Sequence, residues 1–237
     1  MSSILDYRQV ICIKGCDSKL FLQNILTNDI SKLEKNGIQY SLMLTPQGKI
    51  LYDFFIFRDE ESFYLDCHTS YLTDIRNRLS VYKLDCDLEI TDSHFTVHVS
   101  STKLGRYSYL DPRNKNLGYR IYTTIGIDHH SLVQYEEMRI KHVVPEMGID
   151  FFSEQFFSLD LNMKELNAIN FNKGCFIGQE VTARMHHKKI RKKTLQIVPI
   201  DKYQIDNNQL KEGNKSIGKI LKIYKNSAFV MINKIVS

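Results

Sequence analysis

The chain of 237 residues is long enough for one large domain or two small ones, each with a substantial apolar core. Hydrophobic residues make up 43% and charged residues 25%, and with only 4 Pro and 11 Gly the composition excludes collagen-like or extensively disordered sequence. The net charge of +5 is too small to imply a polyanionic partner by itself, although the run 188–193 concentrates positive charge.

The N-terminal residues and the cysteines favour a reducing compartment. Asp6 and Arg8 interrupt the apolar stretch that a secretory signal would need, and no apolar run approaches the ~20 residues of a membrane span. The 5 Cys are scattered without a C-x-x-C pair, which favours free thiols over a disulfide framework or a zinc ribbon. Because an Arg-rich amphipathic presequence is also missing, the sequence predicts a bacterial cytoplasmic protein.

The first half of the chain predicts a sheet with two helices. Apolar alternation and aromatic runs predict strands at 9–13, 40–44, 50–57 and 63–67. Gly15 ends the first strand, and Asp17 or Ser18 would cap the helix that follows. The turn 45–48, Thr-Pro-Gln-Gly, is typical of a hairpin, and helical spacing of apolar residues predicts a helix over 72–82.

The second half alternates regular and irregular segments. Strands are predicted at 95–99, 119–122, 194–198, 216–223 and 228–232, the last three forming a small barrel-like β tail. Ser131 and Gln134 have the spacing of a capping box and predict a helix that ends before Pro145. The segment 145–172 is polar and aromatic without a period, and long loops of this kind are typically functional.

The segment 173–180, Lys-Gly-Cys-Phe-Ile-Gly-Gln-Glu, concentrates the chemistry of the sequence. Gly174 and Gly178 permit positive φ or a close backbone approach to a ligand. Lys173 would favour the thiolate of Cys175, the form that binds metals and attacks electrophiles. A turn that holds a buried cysteine explains the same residues equally well.

Neighbouring polar residues add further alternatives. Gln179 and Glu180 could hydrogen-bond to the edge of a heterocycle, or they could cap a helix. His186 and His187 suggest a metal, but adjacent residues of a strand point to opposite faces, so no metal site is predicted. A nucleophilic pair of Cys175 and His186 lacks an evident third orienting group, which argues against hydrolysis.

The segment 173–180 resembles the K-G-C-[YF]-x-G-Q-E signature of the YgfZ family, the iron–sulfur biogenesis branch of the folate-binding T-protein superfamily. Further motifs of this family match along nearly the whole chain. They are F-L-Q-N with T-N-D at 21–29, G-K-I-L-Y-D at 48–53, D-P-R with L-G-Y-R at 111–120, and T-A-R with H-H and I-R-K at 182–192.

The resemblance implies an α+β fold. In this fold two interleaved α+β lobes form a T-protein-like folate-binding core, and a small C-terminal β-barrel joins them around a central opening. The implied core covers residues 1–190, with one lobe at about 1–45 and 120–190 and the other at 46–119. The implied barrel covers 191–237.

The resemblance also implies a tetrahydrofolate-binding accessory factor for assembly or repair of iron–sulfur proteins, which supports tRNA modification indirectly. Expected partners are folate, iron–sulfur assembly proteins and client cluster enzymes, without direct nucleic-acid or membrane binding. A cluster is expected to be held only transiently, if at all, and no resident metal is expected. Cys175 would be the functional thiol and Lys173 its activator. The expected folate contacts are Gly174, Gly178, Gln179, Glu180, Asp53, Arg139 and Arg184.

Two departures weaken an enzymatic interpretation. The glycine-cleavage T-protein resembles this chain but has adjacent aspartates in the hairpin, where this chain keeps only Asp53. An aminomethyltransferase is therefore the alternative function, and an interaction scaffold without ligand is a second alternative. The T-protein's R-[LM]-E segment is R-I-K at 139–141, and a lysine cannot accept the pterin N–H groups. Asp160, Glu165 or Glu180 would then supply the acceptor.

The basic run 188–193 is by default a solvated segment. Aromatic residues do not interleave it, so direct RNA recognition has little support. Because it follows the signature closely, the run is hypothesised to attract the polyglutamate tail of cellular folates.

Overall fold

The computed structural model describes residues 2–126, 131–188, 190, 193–213 and 215–233. The strands are β1 (Ser2–Ile4), β2 (Arg8–Lys14), β3 (Ile38–Leu44), β4 (Ile50–Asp59), β5 (Ser62–His68), β6 (Glu89–Asp92), β7 (Thr96–Ser100), β8 (Ser108–Leu110), β9 (Tyr119–Thr123), β10 (Lys193–Pro199), β11 (Gln204–Asp206), β12 (Gln209–Glu212), β13 (Lys215–Tyr224) and β14 (Ser227–Asn233). The helices are α1 (Ser18–Ile25), α2 (Leu33–Asn36), α3 (Leu72–Lys83), α4 (Val133–Lys141) and α5 (Gln179–His187). Within these ranges, no helix is both long and apolar enough to cross a bilayer.

The first sheet has the strand order β3-β4-β5-β2-β6 and antiparallel pairing. All of β3 and the first eight residues of β4 are buried. These mainly apolar strands are therefore covered on both faces. The predicted hairpin is confirmed: Thr45 and Lys49 close the turn, and Gly48 takes a φ of +82°. This sheet forms the centre of the main hydrophobic core.

The second sheet has the order β1-β7-β9-β8 and is also antiparallel. The first sheet joins strands from both implied lobes, and the implied lobe boundary at 45–46 falls inside the β3–β4 hairpin. The lobes therefore do not follow the sheets. The implied domain boundary at 190–191 adjoins residues 189, 191 and 192, which lie outside the described residues, so the division into domains stays a prediction.

The C-terminal strands form an open antiparallel sheet in the order β10-β14-β13-β12-β11. The expected closed barrel is not confirmed, because β10 and β11 are its two edges and do not pair with each other in the described ranges. Leu195, Phe229 and Met231 extend from this sheet into the main core, and a smaller apolar cluster fills the rest of it.

The segment between α4 and α5 contains no helix or strand, as predicted for 145–172. The predicted capping box at the start of α4 is wrong. Leu132 occupies the cap position without a side-chain hydrogen bond, and the Ser131 hydroxyl accepts from the backbone N–H of Val133. The prediction of a strand at 186–187 is also wrong, because both histidines lie at the end of α5.

Candidate functional site

The signature segment 173–180 packs against the β3–β4 turn. Gly178 has a left-handed φ of +78° and immediately precedes α5. The predicted positive φ is therefore confirmed, and a Cβ at Gly178 would collide with the carbonyl oxygen of Thr45. Gln179 begins the helix, and its side-chain oxygen accepts from the backbone N–H of Phe176 at 3.3 Å. The glycine and the amide thus fix where α5 starts.

Lys173 is buried beneath the end of α1. Its Nζ donates to the backbone carbonyls of Gln23, Leu26 and Asn28 at 2.5, 2.6 and 3.0 Å. Burial lowers the pKa of Lys173 to about 8, against a smaller opposing attraction from Asp29. Three acceptors account for all three N–H donors of an ammonium.

Cys175 carries an exposed thiol between two buried residues, Lys173 and Phe176. A Cβ at Gly174 would meet no described protein atom within 4 Å, and a close approach of Gly174 to a ligand stays a prediction. The activation of Cys175 by Lys173 stays a prediction, and the carbonyl contacts of the ammonium give it no support.

The T-N-D motif at 27–29 is hydrogen-bonded to the segment 167–170, which precedes Cys175 in the chain. The Thr27 hydroxyl donates to the Ala168 carbonyl at 2.7 Å, and the Thr27 carbonyl accepts from the Asn170 N–H at 3.0 Å. The Asn28 amide nitrogen donates to the carbonyls of Tyr40 at 2.9 Å and Asn167 at 2.8 Å. Residues 167–173 are therefore fixed to the α1–β3 connection through hydrogen bonds across more than a hundred residues of sequence.

A polar cavity of about 670 Å³, here called the hollow, opens next to this segment. Its size is within the range of small-molecule sites. Among the residues that line it, those with a polar, charged or aromatic side chain include Asn28, Lys32, Tyr40, Asp111, Lys164, Asn170, Phe171 and His186. The Phe171 and His186 rings stack with centroids 4.0 Å apart and planes 22° from parallel.

The His186 ring lines the hollow. Burial lowers the pKa of His186, and the neighbouring Lys164 and His187 lower it further against an opposing effect of Glu165. The strand argument against a metal at His186 and His187 does not apply, since both lie on α5. Among the described residues, however, no three His, Cys, Asp or Glu side chains are grouped as metal ligands would be.

Beneath the hollow lies a buried network of ion pairs. The Tyr40 hydroxyl donates to Asp53 at 2.9 Å, and Arg8 Nη1 donates to the other Asp53 oxygen at 3.0 Å. Arg8 Nε also donates to Asp66 at 2.7 Å. The Arg8, Asp53 and Asp66 side chains are 0% exposed. Asp53, an expected folate contact, thus has both oxygens engaged by the protein itself.

The same network continues to Arg139 and Glu146. Arg139 Nη1 donates to Asp150 at 2.6 Å, and Arg113 Nη1 donates to Glu146 at 2.8 Å. Burial alone would raise the pKa of Glu146, but the guanidinium groups of Arg113 and Arg8 hold it well below its usual value. Glu146 is a carboxylate that the sequence analysis missed, because it follows Pro145 in an aperiodic segment and no motif spacing marks it.

Several buried N–H groups of this network remain unpaired. Within the described part of the chain, Arg120 Nη1 and Nη2 and Arg139 Nε and Nη2 have no hydrogen-bond partner, and neither has Glu146 Oε1. Arg120 Nε donates to Asp66 at 2.6 Å, and its guanidinium carbon lies 3.6 Å from the Phe55 ring centroid. Unpaired buried donors are costly, and neither Arg120 nor Arg139 lines the hollow, so these groups are part of the interior of the network.

The predicted folate contacts do not converge on the hollow. None of Gly174, Gly178, Gln179, Glu180, Asp53, Arg139 and Arg184 lines it. Asp53 and Arg139 belong to the buried network, and Glu180 and Arg184 are exposed on α5. Arg184 lines a separate apolar groove with Phe157 and Met185.

Comparison with known proteins identifies the class to which this fold belongs. Residues 5–101 match the family model described as the GCVT N-terminal domain. The crystal structure of glycine cleavage system aminomethyltransferase T from Bartonella henselae superposes with a TM-score of 0.77 and 13% sequence identity, covering 98% of this chain and 78% of that chain. The chain therefore has the α+β fold of this T-protein, and the match to the GCVT model is confined to residues 5–101.

Its similarity to named proteins is more specific. It is 28% identical to the iron–sulfur cluster assembly factor IBA57, mitochondrial, of Mus musculus, over 81% of this chain and 64% of that protein. The human IBA57 is 26% identical, with 81% and 64% covered, and the Mycosarcoma maydis homolog is 27% identical, with 83% and 56% covered. The chain is thus similar to these assembly factors, and the aligned region spans less than two thirds of their length.

These relatives correct the predicted compartment. All three relatives are named as mitochondrial, so the prediction of a bacterial cytoplasmic protein is wrong. That prediction used the N-terminal residues as a sign of the compartment, and the names of the relatives overturn it.

Proposed function

We propose that this chain is a YgfZ-type accessory factor that binds tetrahydrofolate and uses Cys175 in the assembly or repair of iron–sulfur proteins. The observation that carries this proposal is the position of the exposed Cys175 thiol. It closely follows residues 170–172, which line the hollow. The names of the homologous assembly factors support the iron–sulfur role, and the T-protein-like fold supports the folate ligand. Support of tRNA modification would be indirect, through cluster enzymes.

The residues of the hollow fit a folate. Lys32 and Lys164 offer positive charge to the glutamate carboxylates, and the stacked Phe171–His186 pair offers a flat surface to a ring. Tyr40 also lines the hollow and connects it to the buried network through its hydrogen bond to Asp53. Bound tetrahydrofolate would supply a carrier for one-carbon units.

An aminomethyltransferase has less support from the structure. A general base must come within hydrogen-bond reach of the substrate proton. The Asp53 side chain is 0% exposed and accepts from Arg8 and Tyr40, so its place in the buried network supports a structural role. A steady-state assay with an aminomethyl donor separates the two functions, because the accessory factor is expected to show no turnover.

Iron–sulfur assembly proteins and client cluster enzymes are the proposed partners. The hypothesis that the run 188–193 attracts a polyglutamate tail remains a proposal, since residues 189, 191 and 192 lie outside the described residues. Affinities for monoglutamate and polyglutamate folate, compared at two salt concentrations, test it. Equal affinities for both folates would exclude the idea.

Calorimetric titration of the reduced protein with tetrahydrofolate tests the ligand. Wild type and Cys175→Ala are expected to bind equally, whereas Lys164→Ala is expected to bind several-fold more weakly because a charge at the hollow is lost. Lys103→Ala removes an exposed lysine that does not line the hollow and serves as the matched control. No binding by a folded wild type would refute the folate assignment and favour the scaffold alternative.

A further inference from the structure

We propose that Lys173 is a positioning residue for Cys175. The Lys173 ammonium fastens the loop that carries the Cys175 thiol to the end of α1. This inference rests on the proposed function only in treating Cys175 as the functional thiol. In this proposal Lys173 holds the loop in place, instead of activating the thiol as the resemblance implied.

The first support is the arrangement around the ammonium. Nζ lies 2.5 Å from the Gln23 carbonyl, 2.6 Å from that of Leu26 and 3.0 Å from that of Asn28. α1 ends at Ile25, so these carbonyls belong to its last turn and to the chain just beyond it. Carbonyls at a helix end lack intrahelical donors and carry partial negative charge, which a cation satisfies. Lys173 therefore caps α1 from a position about 150 residues away in sequence.

The second support is the position of the thiol. Lys173 is 8% exposed and Phe176 is 7% exposed, while Gly174 and Cys175 between them are exposed. The Lys173 ammonium also lies 5.4 Å from the centroid of the Phe176 ring, close enough for a cation–π contact. The exposed thiol is thus held between two buried residues that contact each other.

The third support is that backbone carbonyls engage the N–H groups of Lys173. An ammonium has three N–H groups, and the carbonyls of Gln23, Leu26 and Asn28 provide three acceptors for them. A buried apolar residue in its place would leave those carbonyls without donors, so the N–H donors at this position serve the packing of the loop.

The experiment compares wild type with Lys173→Met and the control Lys103→Ala in the absence of folate and clusters. Hydrogen exchange of the segment 167–179 reports its anchoring, and the rate of Cys175 alkylation at pH 7 is measured relative to Cys16. Both thiols are exposed, so Cys16 is an internal reference. Neither readout needs a ligand, so failure here is distinguishable from failure of the proposed function.

Loss of the anchor is expected to raise exchange in the segment at least about tenfold without affecting the sheet β13–β14. The alkylation ratio of Cys175 to Cys16 is expected to stay constant or rise, because a released loop exposes the thiol further. A ratio that falls would restore the activating role and overturn the proposal, as would wild-type exchange in the segment. If Lys173→Met does not fold, hydrogen exchange of Lys173→Ala is measured with and without added ethylammonium. This amine can occupy the site of the lost ammonium and donate to the same three carbonyls. Recovery of wild-type exchange with the amine supports the anchor, and no effect of the amine counts against it.

Discussion

Replacement of Glu146 by Gln is expected to destabilise the fold strongly. Its carboxylate accepts from Arg113 at 2.8 Å and from the Tyr135 hydroxyl at 3.3 Å, and it lies 3.5 Å from Arg8. The Glu146, Arg113 and Arg8 side chains are 0% exposed. Breaking a buried pair leaves uncompensated charge, and the expected loss of unfolding free energy is about 3–5 kcal/mol.

Chemical denaturation at pH 7, followed by circular dichroism, measures this loss. Glu34→Gln is the matched control, because Glu34 accepts from Arg58 at 2.7 Å but its side chain is 62% exposed. A surface pair of this kind contributes about 0–1 kcal/mol. Equal midpoint shifts in the two variants would refute the idea that burial makes the Glu146 pairs decisive.

The pH dependence of the same variant gives a second test. The guanidinium groups hold the pKa of Glu146 below its usual value of 4.5 despite burial. The unfolded chain therefore binds this proton first as pH falls, and the stabilisation is present above pH 4.5 and lost below it. Wild type is expected to lose stability below that pH more steeply than Glu146→Gln, and parallel curves would contradict this.

Three further predictions concern the signature segment. Gly178→Ala is expected to lower the unfolding free energy, measured by thermal denaturation, by more than about 1 kcal/mol because of the positive φ of Gly178 and the collision of a Cβ with the hairpin. Gly174→Ala is expected to be near neutral, and equal effects of the two changes would contradict the close approach of Gly178 to the hairpin. Burial lowers the pKa of Lys173 to about 8 from 10.5, so the unfolded chain binds more protons between these values. Wild type should therefore gain stability relative to Lys173→Met as pH rises from 8 towards 10.5, and a constant difference would contradict the shift. Cys175→Ala is expected to change unfolding free energy by less than about 0.5 kcal/mol, since the side chain is exposed; a larger loss in denaturation would show that the thiol has a structural role.

Local chemistry was sufficient to predict four strands of the first sheet, β2 to β5, but neither β6 nor the strand order. The Thr-Pro-Gln-Gly turn at 45–48 and the aromatic run of β4 predict a hairpin by themselves, and β3 and β4 pair as that hairpin. The helix α3 follows equally from its apolar period. These elements depend on contacts between residues that are close in sequence.

The candidate site was harder to predict because distant segments form it. The hollow combines residues near 28–40, 110–112 and 164–172 with His186 from α5. The buried charges of Arg8, Asp53 and Glu146 resemble solvated residues in sequence, and only their tertiary pairing explains them. α5 was only one alternative in the sequence, where Gln179 and Glu180 could cap a helix, because a turn at the left-handed Gly178 explained the same residues.

Complementation tests the proposed role in iron–sulfur assembly. The full chain, targeted to mitochondria, is expressed in cells that lack their own IBA57, and the activity of their iron–sulfur enzymes is measured. Wild type is expected to restore activity, and Cys175→Ala, accumulated to the same level and still able to bind tetrahydrofolate, is expected to fail. Full restoration by Cys175→Ala, or none by wild type, would contradict the proposal.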